Sequence, residues 1–186
     1  MAQSVDWNLD RYRSLLRLLI RQYRVGSRFQ PRFDSSDLVQ ETLLRAYAHR
    51  DQFQGETEPE LIKWLQEILA HTLIDQVRKA RAKKRDVAAE KSLQAALDES
   101  SARLEAYLAI DQASPVKSAE RHELLLRVAA AIDRLPEDQR EVVLQRDLLD
   151  ASVHEIAQQQ GRTEKSVAGL LLRGRRKLRQ LLADYQ

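Results

Sequence analysis

Apolar residues recur at intervals of three and four along most of this chain. From Trp7 to Val25 they fall at Leu9, Tyr12, Leu15, Leu16, Leu19 and Tyr23, one face of a helix that Gly26 and Pro31 would end. The cluster Asp34-Ser35-Ser36-Asp37 offers capping side chains to a second helix, which carries Leu38, Val39, Leu43, Ala46 and Tyr47. A polar loop, Gln52 to Pro59, precedes a third helix. The pattern places it from about Glu60 to Lys84, with Leu61, Trp64, Leu65, Ile68 and Leu69 facing inward. These three helices predict one enclosed core.

Residues 86–118 lose that order. Leu93, Leu97, Leu104 and Leu108 support only partial helix, and Ser100-Ser101 and Ser114-Pro115 interrupt it, so the segment reads as a flexible linker. From Ala119 the stripe returns at Leu124, Leu125, Val128, Ile132 and Leu135. Pro136 stops that helix and suits the first position of the next, predicted to run from Glu137 to about Leu148. Glu137 and Asp138 in its first turn complement the positive end of the helix dipole. Two further helices follow. The expected fold is all-α: two small helical domains, residues 1–85 with three helices and residues 119–186 with four, joined by 86–118.

Composition narrows the class. The 186 residues are 43% hydrophobic and 32% charged, enough apolar material for a core, and five glycines and four prolines are few for an all-β chain. The absence of cysteine excludes disulfides and thiolate metal sites and suits a reducing compartment. The apolar run from Leu15 to Ile20 is short and broken by Arg17. It resembles neither a membrane span nor a signal peptide, so the expected location is the cytoplasm.

Charge is unevenly spread although its sum is only +3. Residues 1–85 hold 16 basic and 11 acidic groups, and residues 158–186 hold 7 and 2. Between them, residues 86–157 hold 8 basic and 15 acidic groups. Two basic regions around an acidic middle suggest two contacts with a polyanion.

The C-terminal contact carries the most specific pattern, SVHEIAQQQGRTEKSVAGLLLRGRRKLR from Ser152 to Arg179. Ala157 permits two helix backbones to cross closely, Gly161 suits a left-handed turn, and Val167 would anchor the second helix in the core. Ser152 and Glu155 have capping-box spacing, and Thr163 is placed to cap the second helix. That helix carries Lys165, Arg173, Arg175, Arg176, Lys177 and Arg179 against one acid, Glu164. This is the make-up of a helix-turn-helix whose second helix enters a DNA groove. The N-terminal contact is the tract Arg78, Lys79, Arg81, Lys83, Lys84 and Arg85, six bases in eight positions, with Trp64 upstream and Phe53 in the preceding loop. Bases beside an aromatic are what phosphate neutralisation and base capture require, although the spacing of Trp64 also fits a core position. On the second helix Asp37, Gln40, Glu41 and Arg45 share a polar face suited to docking on a partner helix.

No reaction chemistry emerges. His49, His71, His122 and His154 are scattered, His154-Glu155 is not continued into HExxH, and no phosphate-binding glycine loop or nucleophile elbow is present. The expectation is a protein that is not an enzyme and needs no cofactor or metal.

Three segments, SDLVQETLLRAY (36–47), WLQEILAHTLIDQVRK (64–79) and RLPEDQREVVLQRDLLDASVHEIAQQQGRTEKSVAGLLLRGRRKLRQLL (134–182), resemble bacterial RNA polymerase sigma factors of the extracytoplasmic-function group. Residues 7–85 are similar to the family's second region and 119–183 to its fourth. The resemblance implies that Asp37, Leu38, Gln40 and Glu41 face the coiled coil of the polymerase's largest subunit. It implies that the loop from Gln52 to Pro59, with Phe53, captures an unstacked base of the minus-ten element, assisted by His71, Arg78, Lys79, Arg81 and Lys84. Extruding a base costs a few kcal/mol, which those contacts must offset. The helix from Thr163 would read the minus-thirty-five element through Arg162, Thr163, Glu164, Lys165 and Ser166, with Arg173, Arg175 and Arg176 beyond. The linker would pass near the RNA exit path. Implied partners are core RNA polymerase and promoter DNA, and the regulator stays open among an anti-sigma factor, a kinase and transcriptional control alone. The chain departs from the family at His71, where Asn is usual, and at Ala168 and Leu170, where Lys and Arg are common. Those departures imply a shifted promoter sequence or weaker binding. The rival reading is a stand-alone helix-turn-helix regulator with a helical dimerisation or sensor domain, which needs neither the DLVQE helix nor the second basic tract.

Overall fold

The structure, a computed structural model, describes residues 7–26, 34–80, 95, 99 and 118–183. Among the described residues the fold is helical and contains no strand. A 3-10 turn, Leu9–Tyr12, leads into α1 (Arg13–Gly26), followed by α2 (Ser35–Ala48), a short 3-10 turn (Arg50–Gln52) and α3 (Glu58–Ala80). The second half comprises α4 (Ser118–Asp133), α5 (Glu137–Val143), a π turn (Leu144–Leu148), α6 (Val153–Gln160) and α7 (Glu164–Ala183). Of the segment read as a linker, Ala95 and Glu99 are described and both are helical.

Local chemistry sets several boundaries. Asp34 caps α2 by accepting from the Ser36 amide at 2.8 Å. α3 starts two residues earlier than the pattern predicted. Pro59 lies inside its first turn, where its missing N–H leaves no bond unmade. Glu60 closes that turn by accepting from the amides of Glu56 and Thr57 at 2.9 and 3.0 Å and from the Thr57 hydroxyl at 2.7 Å. The hydroxyl bond and then the two amide bonds hold the Glu60 carboxyl below the usual carboxylate range. Pro136 is the N-cap of α5, in extended geometry at φ −53° and ψ 144°, rather than its first helical residue.

The continuation of α5 into a π turn was not legible in the apolar pattern. Leu149 donates back to Leu144 at 3.2 Å, Ala151 to Gln145 at 2.9 Å, and Asp150 takes φ 53°. The wider turn buries Gln145 and Leu148 and carries Asp147 to α7. On α7, Gly174 lets α5 approach closely: a Cβ there would meet the Val143 Cγ2 at 2.9 Å.

The two halves form two helical modules, and they pack on each other. α1 is the shared element, since Leu15, Leu16, Leu18, Leu19 and Ile20 are all buried, more than one face of a helix can direct at α2 and α3. The remaining apolar surface meets α4, where Leu125, Leu126, Ala129 and Ile132 are buried. Each Leu or Ile so buried is worth about 1.5–3 kcal/mol. Tyr12, at the head of α1, sends its hydroxyl to the Glu58 carboxylate at 2.9 Å.

An ionic cluster rims the α1–α4 contact. The Asp133 carboxylate, 12% exposed, accepts from Arg17, from Arg21 at 2.7 Å and from the Ser14 hydroxyl at 3.3 Å, with Arg140 of α5 at 3.7 Å. Arg11 bonds Glu123 of α4 at 2.6 Å. Burial, followed by the charge of Arg21, pushes the Arg140 guanidinium below its usual value, and Asp133 opposes that shift. No helix among the described residues is long and apolar enough to cross a membrane.

Candidate nucleic-acid and polymerase interface

The helix-turn-helix is built by strictly local devices. Ser152 and Glu155 form the capping box: the Glu155 amide donates to the Ser152 hydroxyl at 3.2 Å, and the Ser152 amide and hydroxyl both donate to the Glu155 carboxylate at 2.7 Å. Gly161 ends α6 at φ 61°, a left-handed residue that favours glycine. Thr163 then caps α7, accepting from the Ser166 amide at 3.2 Å. Ile156, Ala157 and Val167 are buried where the helices cross.

Bonds from the backbone and then the hydroxyl of Ser152 hold the Glu155 carboxyl below the usual carboxylate range. Its depressed value in the folded state means that the cap stabilises α6 fully at neutral pH and fails as the solution is acidified through that value. The protection of amides in the first turn of α6, taken relative to the intrinsic exchange rate at each pH, should therefore fall on acidification, and Glu155→Gln should remove that change. Identical pH profiles for the two proteins would refute the assignment.

The tip of α7 presents Glu164, Lys165 and Ser166 to solvent. Lys165 has no ion-pair partner among the described residues, whereas Arg162 is paired with Asp138 of α5 at 3.0 Å. Farther along, Arg173, Arg176 and Lys177 line a shallow groove of about 250 Å³ with Pro136, Gln139 and Gln180. None of the three cations has an anionic partner among the described residues. Arg175 is different. Its guanidinium grips Asp147, a carboxylate only 7% exposed, with Nε at 3.1 Å. This ties α7 to the π turn, so Arg175 is committed within the module instead of joining its neighbours in the groove.

In the N-terminal module Phe53, expected to meet an extruded base, is half-buried in an aromatic trio. Its ring centroid lies 5.6 Å from Trp7 and 5.4 Å from Trp64, and the two tryptophans are 6.0 Å apart, edge to face. Trp64 is thus packed as its spacing suggested, and the trio fixes the loop that leads into α3. His71 is exposed and shares its face of α3 with Lys63 and Glu67. Arg78 and Lys79 continue the helix backbone. Their side chains, and all of Arg81 and Lys84, lie outside the described residues.

α2 separates cleanly into two faces. Leu38, Val39, Thr42, Leu43 and Ala46 are buried. Leu38, expected on the polymerase-facing side, is 2% exposed and belongs to the core, one helical position away from Asp37. Asp37 and Gln40 are exposed. Glu41 is half-buried, accepting from Arg45 at 2.6 Å and from Gln76 of α3 at 2.9 Å, while Arg45 also donates to Asp75 at 2.7 Å. The Asp75 bond is the main reason that the Arg45 guanidinium lies above its usual value.

Two family models match these two modules. The model for Sigma-70 region 2 matches residues 9–83, and that for Sigma-70 region 4 matches residues 125–178, together more than half of the chain and in this order. The chain belongs to the sigma-70 family. As a sigma factor it binds RNA polymerase, recognises promoters and acts in transcription initiation, and its small size fits the extracytoplasmic-function group. The stand-alone regulator is not favoured, because it leaves the region 2 match over α1 to α3 unexplained.

This identity gives weight to two exposed residues, Leu44, which the apolar pattern leaves unassigned, and Tyr47, which it counts as inward. Leu44 and Tyr47 are 63% and 56% exposed on the same face of α2 as Asp37 and Gln40, at spacings of seven and ten residues from Asp37. Tyr47 is covered by the Arg50 guanidinium at 4.5 Å. Tyr47 had been counted with the inward stripe. Its misfit was visible, because the buried positions 39, 43 and 46 define a face that 47 has already left.

Proposed function

We propose that this sigma factor binds core polymerase through the α2 face and contacts promoter DNA with two separate modules. Asp37 and Gln40 provide polar contacts and Leu44 and Tyr47 the apolar centre of the polymerase contact, while Glu41 and Arg45 brace α2 against α3. The loop from Gln52 to Pro59 and α3, with His71 and the tract from Arg78 to Arg85, act at the minus-ten element. There the aromatic trio shapes the base-capturing loop, and Phe53 serves as its wall. The tip of α7 reads the minus-thirty-five element with Glu164, Lys165 and Ser166, and Arg173 and Arg176 hold phosphate. The chain supplies no catalytic group of its own. It works in the cytoplasm, where the polymerase is, and an anti-sigma factor is the class of regulator that would cover these faces.

The observation that carries this reading is a capped helix-turn-helix whose second helix leaves Lys165, Arg173, Arg176 and Lys177 without an anionic partner among the described residues, in the same chain as a second module of the same family. Geometry adds a consequence. Elements at minus ten and minus thirty-five lie about 25 base pairs apart, about 85 Å at 3.4 Å per pair. A compact chain of this length has a radius of gyration of only ~16 Å. Simultaneous contact with both elements therefore requires the α1–α4 contact to open, with the polymerase holding the modules apart.

Replacing Lys165 and Arg173 with alanine tests the division of roles. Two phosphate or base contacts are worth roughly tenfold or more in DNA affinity, and the salt dependence should flatten. Promoter binding by the reconstituted holoenzyme should fall while co-purification with core polymerase is unchanged. An equal loss in both assays would overturn the assignment.

A further inference from the structure

The one acid of α7 sits at its most exposed end, where a polyanion is expected to approach. Glu164 is the first residue of the helix, 61% exposed at the side chain, on an element that otherwise carries only bases. Glu164 complements the positive end of the helix dipole, but like charge disfavours a carboxylate among phosphates, so on a helix that faces DNA it is best placed where it meets a donor. Base edges supply one, the exocyclic amine of cytosine, which carboxylates accept from in the major groove.

Glu164 is held. Its Oε1 lies 2.8 Å from Nδ1 of His154 on α6, and Nε2 of the same imidazole lies 2.9 Å from Nε2 of Gln158, one turn along α6. A single protonation state satisfies both contacts. With the proton on Nδ1, the ring donates to the carboxylate and its Nε2 accepts from the Gln158 amide. The chain Gln158–His154–Glu164 thus crosses from the supporting helix to the reading helix. It occupies one carboxylate oxygen and leaves Oε2 as an acceptor with restricted orientation.

We infer that His154, oriented by Gln158, is a positioning residue that fixes Glu164 as the reader of a cytosine in the upstream promoter element. The inference rests on the assignment of α7 to that element. His154 itself touches no base. Its part is to keep the carboxylate off the phosphates and aimed at the base edge, so it acts on discrimination more than on overall affinity.

The experiment uses full-length chain with core polymerase, transcribing a template library whose upstream element is randomised, with sequencing of the transcribed templates. Wild-type holoenzyme should show one column enriched in cytosine by roughly tenfold, the scale of one base-edge contact. Glu164→Gln should move that column toward adenine, which an amide reads. His154→Ala should flatten the same column, and His154→Asn, whose Nδ2 can replace the Nδ1 donor, should preserve it. If Glu164→Gln shifts a column that His154→Ala leaves untouched, or if the two change different columns, the inference is overturned while the upstream-reading assignment stands. A wild-type library without any upstream preference would overturn both.

Discussion

Replacing Asp133 with alanine is expected to lower the stability of the free chain by about 3 kcal/mol and to loosen the contact between its two modules. The carboxylate is nearly buried, and three guanidiniums, those of Arg17, Arg21 and Arg140, converge on it from two modules. Removing one partner of a buried ion pair costs about 3–5 kcal/mol, because the other charge stays desolvated and unmatched. The low end applies here, since about a quarter of the Arg17 and Arg21 side chains remains in contact with solvent. Asp133→Asn should fall between the two, keeping the shape and part of the hydrogen bonding. Urea unfolding measures the loss, and small-angle scattering should show a larger radius of gyration for the alanine variant. Transcription by its holoenzyme should be undiminished, because promoter contact requires that interface to be open. Unchanged stability and unchanged size would mean that the cluster does not hold the modules together.

The second large effect is expected at α2. Tyr47→Ala together with Leu44→Ala should weaken association with core polymerase by about a hundredfold, equivalent to roughly 3 kcal/mol, the range of a central aromatic anchor. Both side chains are exposed in the free chain, so truncation leaves the core intact and thermal unfolding should barely move. The contrast with Leu38→Ala is informative. That change removes a buried side chain and should cost about 2–5 kcal/mol in stability. Titration of core polymerase with fluorescently labelled variants separates the two. If the double variant binds core as tightly as the wild type, the polymerase contact lies elsewhere than on this face.

What could be read from the sequence follows from the range of the interactions involved. The helix-turn-helix was fully legible because each of its parts is local: the Ser152–Glu155 box, the left-handed Gly161, the Thr163 cap and the Val167 anchor all act within four residues or across one turn. The apolar stripes located the helices of both modules for the same reason. On α2 the apolar stripe held at Leu38, which the resemblance had turned toward the polymerase, and failed at Tyr47, since one helical position moves a side chain by about 100°. The packing of α1 on α4 had a signal that a single-stripe reading passed over: Leu18 and Ile20 lie outside the stripe through Leu15 and Leu19, and a helix apolar on both sides must be covered on both. The Asp133 cluster had no such signal, because Arg17 and Arg21 lie more than a hundred residues from Asp133 and arginine–carboxylate pairs are not specified by local pattern. The pairing of Arg175 with Asp147 depends on a π turn that the i, i+3, i+4 periodicity does not announce.

The most direct test of the account is transcription by core polymerase and this chain from a library with both promoter segments randomised. The account predicts transcripts only when the chain is present, from templates that share two sequence motifs about 25 base pairs apart from centre to centre, with the upstream motif erased by Lys165→Ala and Arg173→Ala. Transcripts that share a single motif, or an upstream motif that survives that double change, would contradict it.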